Sequence, residues 1–447
     1  MTKKPTYNEL LKTVEVLLKR VDELEQEVNR LRKKKNSNNS SIPPSKDENR
    51  PKRKNLREKS GLKPGGQEGR KGTTLKMAES PDIVKNHHPE FCTCCGNSLS
   101  DKASSLAGKR QVYDIPPINI QVTEHRIFER TCTCGNTTKA SWPQEASAPV
   151  CYGSNIMSLI GYFHTRQYIP FKRMQEIFSD VFNAPISQGG IQYLLEKLAA
   201  KAVPAYQLIK EKVQATNYAV GSDETGIKVN GDKQWGWTWQ TQDATFITIT
   251  NNRGQKTIDE TFEGGFENAV LVHDCWASHF NTNAITHQIC IAHLLRDLNY
   301  LNELHNHKWS RVVKLLLQKA IRLKKQMTKE HYLTHNPERN QLIKWLNLLL
   351  DYDLPEDKKE LVTFRKRLLK HKEYIFTFLF RYEVPYDNNA SERAIRNIKV
   401  KQKVSGQFRS ENGASCFAIL RSITDTAIKN GQQVLKALFT IADLQTV

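Results

Sequence analysis

The chain has 447 residues and a formal net charge of +20, because 67 Lys and Arg outnumber 47 Asp and Glu. Such a length accommodates about two to four domains with at least one sizeable core. The positive charge favours a polyanion as partner, and nucleic acid is the commonest one. No stretch approaches the ~20 uninterrupted apolar residues that cross a bilayer, which excludes an ordinary membrane-spanning helix.

The N-terminus and the cysteines indicate the compartment. The start MTKKPTYNELLK is basic but has no apolar core behind it, so we expect no signal peptide. The nine cysteines are expected to be reduced thiols or metal ligands rather than a disulfide framework. We therefore expect a cytoplasmic protein with a nucleic-acid partner and no membrane association.

The first predicted element is a coiled coil over residues 1–35. Its heptad places leucines at one core position and valines at the other, namely Leu10, Leu17, Leu24 and Leu31, with Val14, Val21 and Val28. Leu at d with Val at a favours a parallel two-stranded coiled coil, so we expect a homodimer or higher oligomer. The alternative is an amphipathic helix that packs on its own domain.

A basic linker and a cysteine-rich region follow. Residues 36–75 are rich in Ser, Asn, Pro, Gly and basic residues, which predicts disorder, with the basic run either along phosphates or simply solvated. In residues 76–148, FCTCCG and CTCG flank a β-rich stretch. Their spacing predicts a zinc-finger-like domain with structural Zn²⁺ on Cys92, Cys95, Cys132 and Cys134. The one-residue gap in CTCG and the neighbouring Cys94 keep unconnected thiols and another ligand set open.

Residues 149–215 are predicted to be helical. The stretch PFKRMQEIFSDVFNAPISQGGIQYLLEKLAAK has the pattern helix, short turn, helix, and Ser187 is placed to cap the second helix. A helix-turn-helix can set its second helix into a major groove of DNA. Two helices that only pack against each other would show the same pattern, so both interpretations stay open here.

Residues 216–447 begin with strand-like segments that end in acidic residues. Three antiparallel strands are predicted within residues 217–252, and an apolar run at the start of the first leads to Asp223. A fourth run, AVLV, is typical of a sheet interior and leads to Asp274. Two carboxylates at the ends of neighbouring strands repel each other unless a cation neutralises them, and Mg²⁺ prefers such oxygen ligands.

A third acidic residue lies far along the chain in NNASERAIRNIKVKQK. A helix starting near Asn388 or Asn389 would carry Glu392 in its first turns, where it could complete a two-metal site. The nearby basic residues would then hold a nucleic-acid backbone, and they are Arg393, Arg396, Lys399 and Lys401. A solvated salt bridge is the ordinary alternative for Glu392, and each acidic residue alone is more often structural than catalytic.

The ordered motifs resemble the transposases of the bacterial insertion sequence 66 family. The matching stretches run nearly end to end and are NSNNSSIPPSKD, SGLKPGGQEGRKGTTL, HHPEFCTCCGNSL, SDETG, CIAH, NNASERAIR and SGQFRSENGASCFAILRSITDTAIKNG, with the leading coiled coil. The resemblance implies an α/β fold with a ribonuclease-H-like mixed-sheet core. Its catalytic residues would be a DDE triad of Asp223, Asp274 and Glu392 that holds two Mg²⁺ or Mn²⁺ ions. A charged helical insertion is predicted at about residues 300–385 of this core.

The resemblance implies a bacterial DNA transposase, associated with the nucleoid when bound to DNA. Water would attack at the transposon end, and the freed 3′-hydroxyl would then attack target DNA. Accessory proteins of the same element are expected partners. The alternatives are a non-catalytic DNA-binding regulator derived from a transposase, and a nuclease of the same fold that acts on Holliday junctions or RNA. For Cys290 and His293, packing near the catalytic face is favoured over zinc binding. For His273 and His279, a surface position or a role in supporting Asp274 is favoured over direct catalysis.

Overall fold

The computed structural model describes residues 7–32, 69, 74–116, 118 and 120–444. The predicted linker, 36–75, lies almost entirely outside these residues. Across the described ranges, no helix combines the length and the apolar character that crossing a membrane requires. The predicted α/β class is confirmed, since the chain forms a five-stranded mixed sheet and many helices.

The N-terminal part contains one long helix and one small ribbon. Helix α1 spans Tyr7–Arg32, and its heptad residues Val14, Leu17, Val21 and Leu24 are all exposed. Strands β1 (Glu129–Thr131) and β2 (Thr137–Lys139) pair antiparallel, with the CTCG segment between them. The ribbon is short and exposed, so hydrophobic burial contributes little to its stability.

Three helices precede the sheet: α2 (Ser154–Thr165), α3 (Phe171–Phe182) and α4 (Gln188–Gln214). Helix α3 ends at Asn183, which adopts the left-handed conformation that Asn tolerates well. Helix α4 starts after Ser187, whose hydroxyl accepts the Gly190 N–H at 3.0 Å. The N-cap expected at this serine is therefore present.

The central sheet has the spatial order β5-β4-β3-β6-β7. Strands β3, β4 and β5 are antiparallel neighbours, whereas β6 and β7 run parallel to β3. The bounds in chain order, with two short helices between strands, are β3 (Ala219–Val229), β4 (Asp232–Gln240), β5 (Thr245–Thr250), α5 (Gln255–Thr261), β6 (Phe266–His273), α6 (Ala277–Phe280) and β7 (Ala284–Ile289). The apolar run of β6 is buried in the sheet interior, as its composition indicated.

Strand β3 is longer than its apolar start suggested. Asn230 and Gly231, both with positive φ, form a two-residue hairpin turn to β4. The pairing with β4 runs from Gly221 to Val229, so the strand continues six residues beyond Asp223. The expectation that Asp223 ends a strand is therefore wrong, because hairpin pairing extends the strand past the acidic residue.

Helices cover the rest of the chain. Five form a charged helical region after β7, and they are α7 (Ile291–His305), α8 (Lys308–Gln326), α9 (Glu330–Leu333), α10 (Pro337–Leu350) and α11 (Lys359–Lys370). Three more follow, and they are α12 (Asn389–Ser405), α13 (Glu411–Lys429) and α14 (Val434–Asp443). The first two pack on the sheet, and α14 packs on α2, α4 and α13. Helix α12 starts where the sequence predicted a helix, and it packs on β3 and β4.

The apolar side chains form three clusters. The largest combines helices α2–α4, one face of the sheet and helices α13 and α14 in a single core. A second cluster joins the parallel strands to α7, α8, α10 and α11. A third, smaller one holds α12 and α13 against β3 and β5. The sheet is thus covered by helices on both faces, and these helices also surround the polar residues at the ends of its strands.

Candidate active site

Two acidic residues lie on neighbouring parallel strands. Gly221 of β3 pairs with Val272 of β6, and two residues further along each chain are Asp223 and Asp274. Asp274 directly follows the last residue of β6. Because side chains alternate along a strand, Asp223 faces the same side as Gly221, which is the side covered by α12. The register therefore brings both carboxylates under the start of α12.

The surroundings of Asp223 disfavour its negative charge. Burial raises the pKa of Asp223 well above its usual range, and the charges of Glu224, Asp274 and Glu392 raise it further. One interaction opposes this shift, since the Glu224 N–H donates to Asp223 Oδ1 at 3.0 Å. Without a cation the protonated form of this carboxyl group is favoured more than usual. A divalent cation would replace that proton and relieve the repulsion among the carboxylates.

Asp274 has the opposite tendency. Burial alone would raise the pKa of Asp274, but the nearby His279 ring lowers it below the ordinary value. The Trp276 N–H also donates to Asp274 Oδ1 at 3.0 Å, and His279 Nδ1 lies 3.6 Å from the same oxygen. The pKa of one carboxyl group of the pair is thus raised while that of its neighbour is lowered. Such an asymmetric pair is typical of sites that bind a cation or transfer a proton.

Glu392 joins these residues from the first turn of α12. Its Oε1 pairs with Arg296 Nη2 at 2.5 Å and lies 3.8 Å from His293 Nε2, both on α7. Its Oε2 lies 3.5 Å from Nη2 of Arg396, one turn further along α12. The main counter-charge of Glu392 therefore comes from a different helix, and sequence reasoning missed it.

A buried polar network fixes the start of α12 on the sheet. The Asn388 side chain donates to the Ser222 carbonyl at 2.7 Å, and its own carbonyl accepts from Ser391 Oγ at 2.6 Å. Gln240 on β4 donates to Ser391 Oγ at 3.0 Å, and the Asn388 N–H donates to Cys290 Sγ at 3.2 Å. Since each of these groups is buried and paired, the network holds the Glu392 backbone in one place.

A second polar cluster lies behind the carboxylates, on the other face of β3. Arg253 donates through Nε and Nη2 to Glu224 Oε1 at 2.9 and 2.8 Å. His279 Nε2 lies 3.1 Å from Ser222 Oγ, and the ring is fully buried. Within the described ranges, one group of side chains is spaced closely enough to hold a metal ion. It consists of His273, Asp274 and His279, whose potential ligand atoms all lie within 4.8 Å of one another. The fully buried His273 and His279 thus support Asp274 from behind.

The carboxylates offer donor chemistry that suits a hard divalent cation. Asp223, Asp274 and Glu392 contribute oxygen atoms, which Mg²⁺ and Mn²⁺ prefer, and their mutual repulsion leaves a charge to be balanced. His293 is available as a neutral ring, because burial and then the charge of Arg296 lower its pKa. Cys290, by contrast, is buried and its pKa is raised to about 12 by that burial, which disfavours a thiolate metal ligand.

Comparison with protein-family models identifies the family of this chain. The family model described as Transposase IS66 family matches residues 149–416, more than half of the chain. The chain belongs to the IS66 transposase family. A model described as the zinc-finger binding domain of transposase IS66 matches residues 89–135, and a family of unknown function matches residues 5–76. None of the curated proteins matches the chain.

The matched zinc-finger region of this IS66 transposase contains two similar loops. The Cys92 N–H donates to the Asn97 carbonyl at 2.8 Å, and the Cys132 N–H donates to the Asn136 carbonyl at 2.8 Å. In each loop a glycine with positive φ turns the chain and returns a hydrogen bond to the first cysteine. Hydrogen bonds from Cys95 and Cys94 lower the pKa of Cys92, and those from Cys134 and Thr133 lower the pKa of Cys132.

These loops suit a structural zinc ion, and the family match supports one in this region. Lowered thiol pKa values favour the thiolate form that binds metal. Among the residues that the structure describes, however, the two cysteine pairs do not form one cluster within 4.8 Å. The full ligand set of Cys92, Cys95, Cys132 and Cys134 therefore stays a prediction.

The four basic residues of α12 have different surroundings. Arg393 and Arg396 are exposed, whereas Lys399 donates to the Gly226 carbonyl on β3. Lys401 is only 5% exposed, and its ammonium group lies 3.2 Å from Nδ1 of His164 on α2. Burial lowers the pKa of Lys401 to about 8. The prediction that Lys401 contacts DNA is corrected, because its side chain points into the protein.

Proposed function

We propose that the chain is a DNA transposase that cleaves transposon ends in a metal-dependent reaction and joins them to target DNA. Asp223, Asp274 and Glu392 are its catalytic carboxylates, in a ribonuclease-H-like core with the helical insertion between β7 and α12. The observation that carries this proposal is the register of the parallel strands β3 and β6, which brings Asp223 beside Asp274 under the start of α12, the helix that bears Glu392. The raised pKa of Asp223 supports it, since burial and then the charges of its acidic neighbours disfavour its ionised form. The charges of Asp274 and Glu392 thus act on Asp223, although among the described residues the three carboxylates do not form one cluster within 4.8 Å.

Each residue has a distinct part in this proposal. Asp223 and Asp274 present oxygen atoms from the rigid sheet, and Glu392 adds a third from the fixed start of α12. Two Mg²⁺ ions bound there would activate the attacking oxygen and stabilise the leaving oxygen of a phosphodiester. His279 holds Asp274 ionised, and the exposed Arg393 and Arg396 bind DNA phosphates beside the site. No serine or cysteine nucleophile is needed for this chemistry.

The remaining regions are proposed to bind DNA ends and a second subunit. The zinc-finger region, 76–148, and the helical region, 149–215, would contact the transposon ends, with α4 as the helix directed to DNA. Accessory proteins of the same element remain expected partners. A regulator that binds DNA without cutting is the alternative function, and it has the same DNA-contacting regions.

The test is a cleavage assay with the full chain and duplex DNA that carries the ends of the element with flanking sequence. We expect strand breaks at the ends with Mg²⁺ or Mn²⁺, and their loss when a chelator removes the divalent ion. Adding Mg²⁺ in excess of the chelator should restore cleavage. This recovery would distinguish the need for Mg²⁺ from an effect of losing structural zinc. DNA binding without cleavage under both divalent ions would support the regulator instead.

Helix α1 is proposed to pair with α1 of a second chain. Its valine and leucine side chains are exposed along one helix, an arrangement that a two-stranded coiled coil would bury. Deleting residues 1–35 is therefore expected to reduce the oligomeric state in solution, measured by light scattering coupled to size exclusion. A matched variant with Val14, Val21 and Leu24 changed to serine keeps the length and should dissociate likewise. An unchanged mass in both variants would show that α1 does not pair.

A further inference from the structure

Helix α7 contacts the start of α12 through residues spaced by three. Cys290, at the N-cap of α7, accepts the Asn388 N–H, and His293 and Arg296 lie beside Glu392. Residues three apart lie on one side of a helix, so this side of α7 faces the candidate active site. Nothing in the proposed chemistry itself requires an arginine at this position.

The pair between Arg296 and Glu392 is shielded from solvent. The two side chains are 24% and 16% exposed, and Nη2 lies 2.5 Å from Oε1. A further hydrogen bond from Arg296 Nε to the Ala292 carbonyl, at 3.3 Å, orients the guanidinium. A pair in such surroundings is screened less than one on the open surface. Arg396 also approaches Glu392, but it is 67% exposed and lies 3.5 Å away.

The position of Arg296 has a consequence for metal binding. Its positive group lies against Oε1 of Glu392, one of the two oxygen atoms that this carboxylate could offer to a cation. A guanidinium and a divalent cation repel each other, and both cannot contact the same oxygen at full strength. The ion pair therefore competes with the metal for this carboxylate.

We propose that Arg296 is a positioning residue that holds Glu392 in the metal-free protein and is displaced from it when a divalent cation binds. This inference rests on the proposed metal-dependent function. In the metal-free protein Arg296 balances the charge of Glu392 and keeps the carboxylate directed toward α7. The displaced guanidinium remains beside the carboxylates, where a phosphate oxygen of bound DNA can accept its hydrogen bonds. The exchange would make cation binding weak until DNA is present.

The test measures Mn²⁺ binding to the full chain without DNA, by the electron paramagnetic resonance signal of free Mn²⁺. Arg296→Gln is expected to bind Mn²⁺ roughly three- to tenfold more tightly than the unchanged protein, because the competing charge is gone. The matched control is Arg396→Gln, which removes the exposed partner of the same carboxylate and should change the affinity less than about twofold. A merely structural role for Arg296 would leave the affinity unchanged or weaken it, and either result overturns the inference.

Two further variants keep the outcomes separate. Asp274→Asn should abolish the Mn²⁺ binding assigned to this site, and equal binding in that variant would refute the proposed metal site itself. Loss of binding in Asp274→Asn with unchanged affinity in Arg296→Gln would refute only the role of Arg296. If Arg296→Gln does not fold, Arg296→Lys keeps the charge but not the fork of donors, and its affinity should rise by a smaller factor. Unchanged affinity in Arg296→Lys would then overturn the inference.

Discussion

Asp274→Asn is expected to abolish metal-dependent strand cleavage while leaving DNA binding intact. The amide keeps the shape of the side chain but removes the negative charge that His279 favours. An amide is also a poorer ligand for Mg²⁺ than a carboxylate. Asp223→Asn and Glu392→Gln should have the same effect. We expect cleavage rates to fall by roughly a thousandfold or more, as for other residues that act as one catalytic unit.

The matched control for these variants is Asp259→Asn. Asp259 is an exposed acid on α5, where its carboxylate accepts a hydrogen bond from Gln255, one turn earlier. The control should cleave at the unchanged rate, and gel-shift binding should be equal for all four variants. Full cleavage by any one of the three site variants would remove that residue from the catalytic set. Loss of DNA binding along with cleavage would indicate damage to the fold instead.

The second large effect is expected at Gly221, which lies two residues before Asp223 under the start of α12. A Cβ added here would lie 2.6 Å from Ser391 Oγ and 2.8 Å from Asn388 Oδ1. Both atoms belong to the buried network that fixes α12, so the network must rearrange, and we expect the start of the helix to shift with it. Because Glu392 directly follows Ser391, Gly221→Ala should lower the cleavage rate about a hundredfold, the effect of misplacing a catalytic group by about 1 Å.

Gly226→Ala is the control on the same strand. A Cβ at Gly226 would meet only the Lys233 and Trp235 side chains, at 3.6 Å or more, which is ordinary contact. We expect near-normal cleavage from this variant. Thermal unfolding should show a loss of about 1–3 kcal/mol for Gly221→Ala and little change for Gly226→Ala. Normal cleavage by Gly221→Ala would mean that the position of α12 does not control catalysis.

Much of the fold could be predicted from local patterns in the sequence. The apolar run before Asp274, the N-cap at Ser187 and the start of α12 all depend on neighbouring residues, and such signals are strong in a single chain. The length of β3 depended on pairing with β4 through the Asn230–Gly231 turn. Antiparallel pairing of these strands was expected, but Asp223 was placed near the end of β3 because the apolar run stops before it, whereas the strand continues to Val229.

The partners of the site residues were harder to predict. Arg296 and Glu392 are 96 residues apart in the chain, and no periodicity connects them. Lys401 differs, because the buried positions of α12 are Ser391, Ala394, Ile398 and Lys401. This spacing follows a helical stripe, and it could have indicated that the lysine points inward. Net positive charge alone suggested DNA contact, whereas helical periodicity carried the correct information for this residue.

The shared core of the sheet and helices α2–α4 has a consequence for how DNA would be cut. Side chains such as Leu198 of α4, Trp239 of β4 and Leu420 of α13 belong to one cluster. If α3 and α4 bind DNA as proposed, this shared packing would hold the bound segment at one distance and orientation relative to the carboxylates. The number of base pairs between the recognised sequence and the broken bond would then be fixed by the packing of side chains in this core.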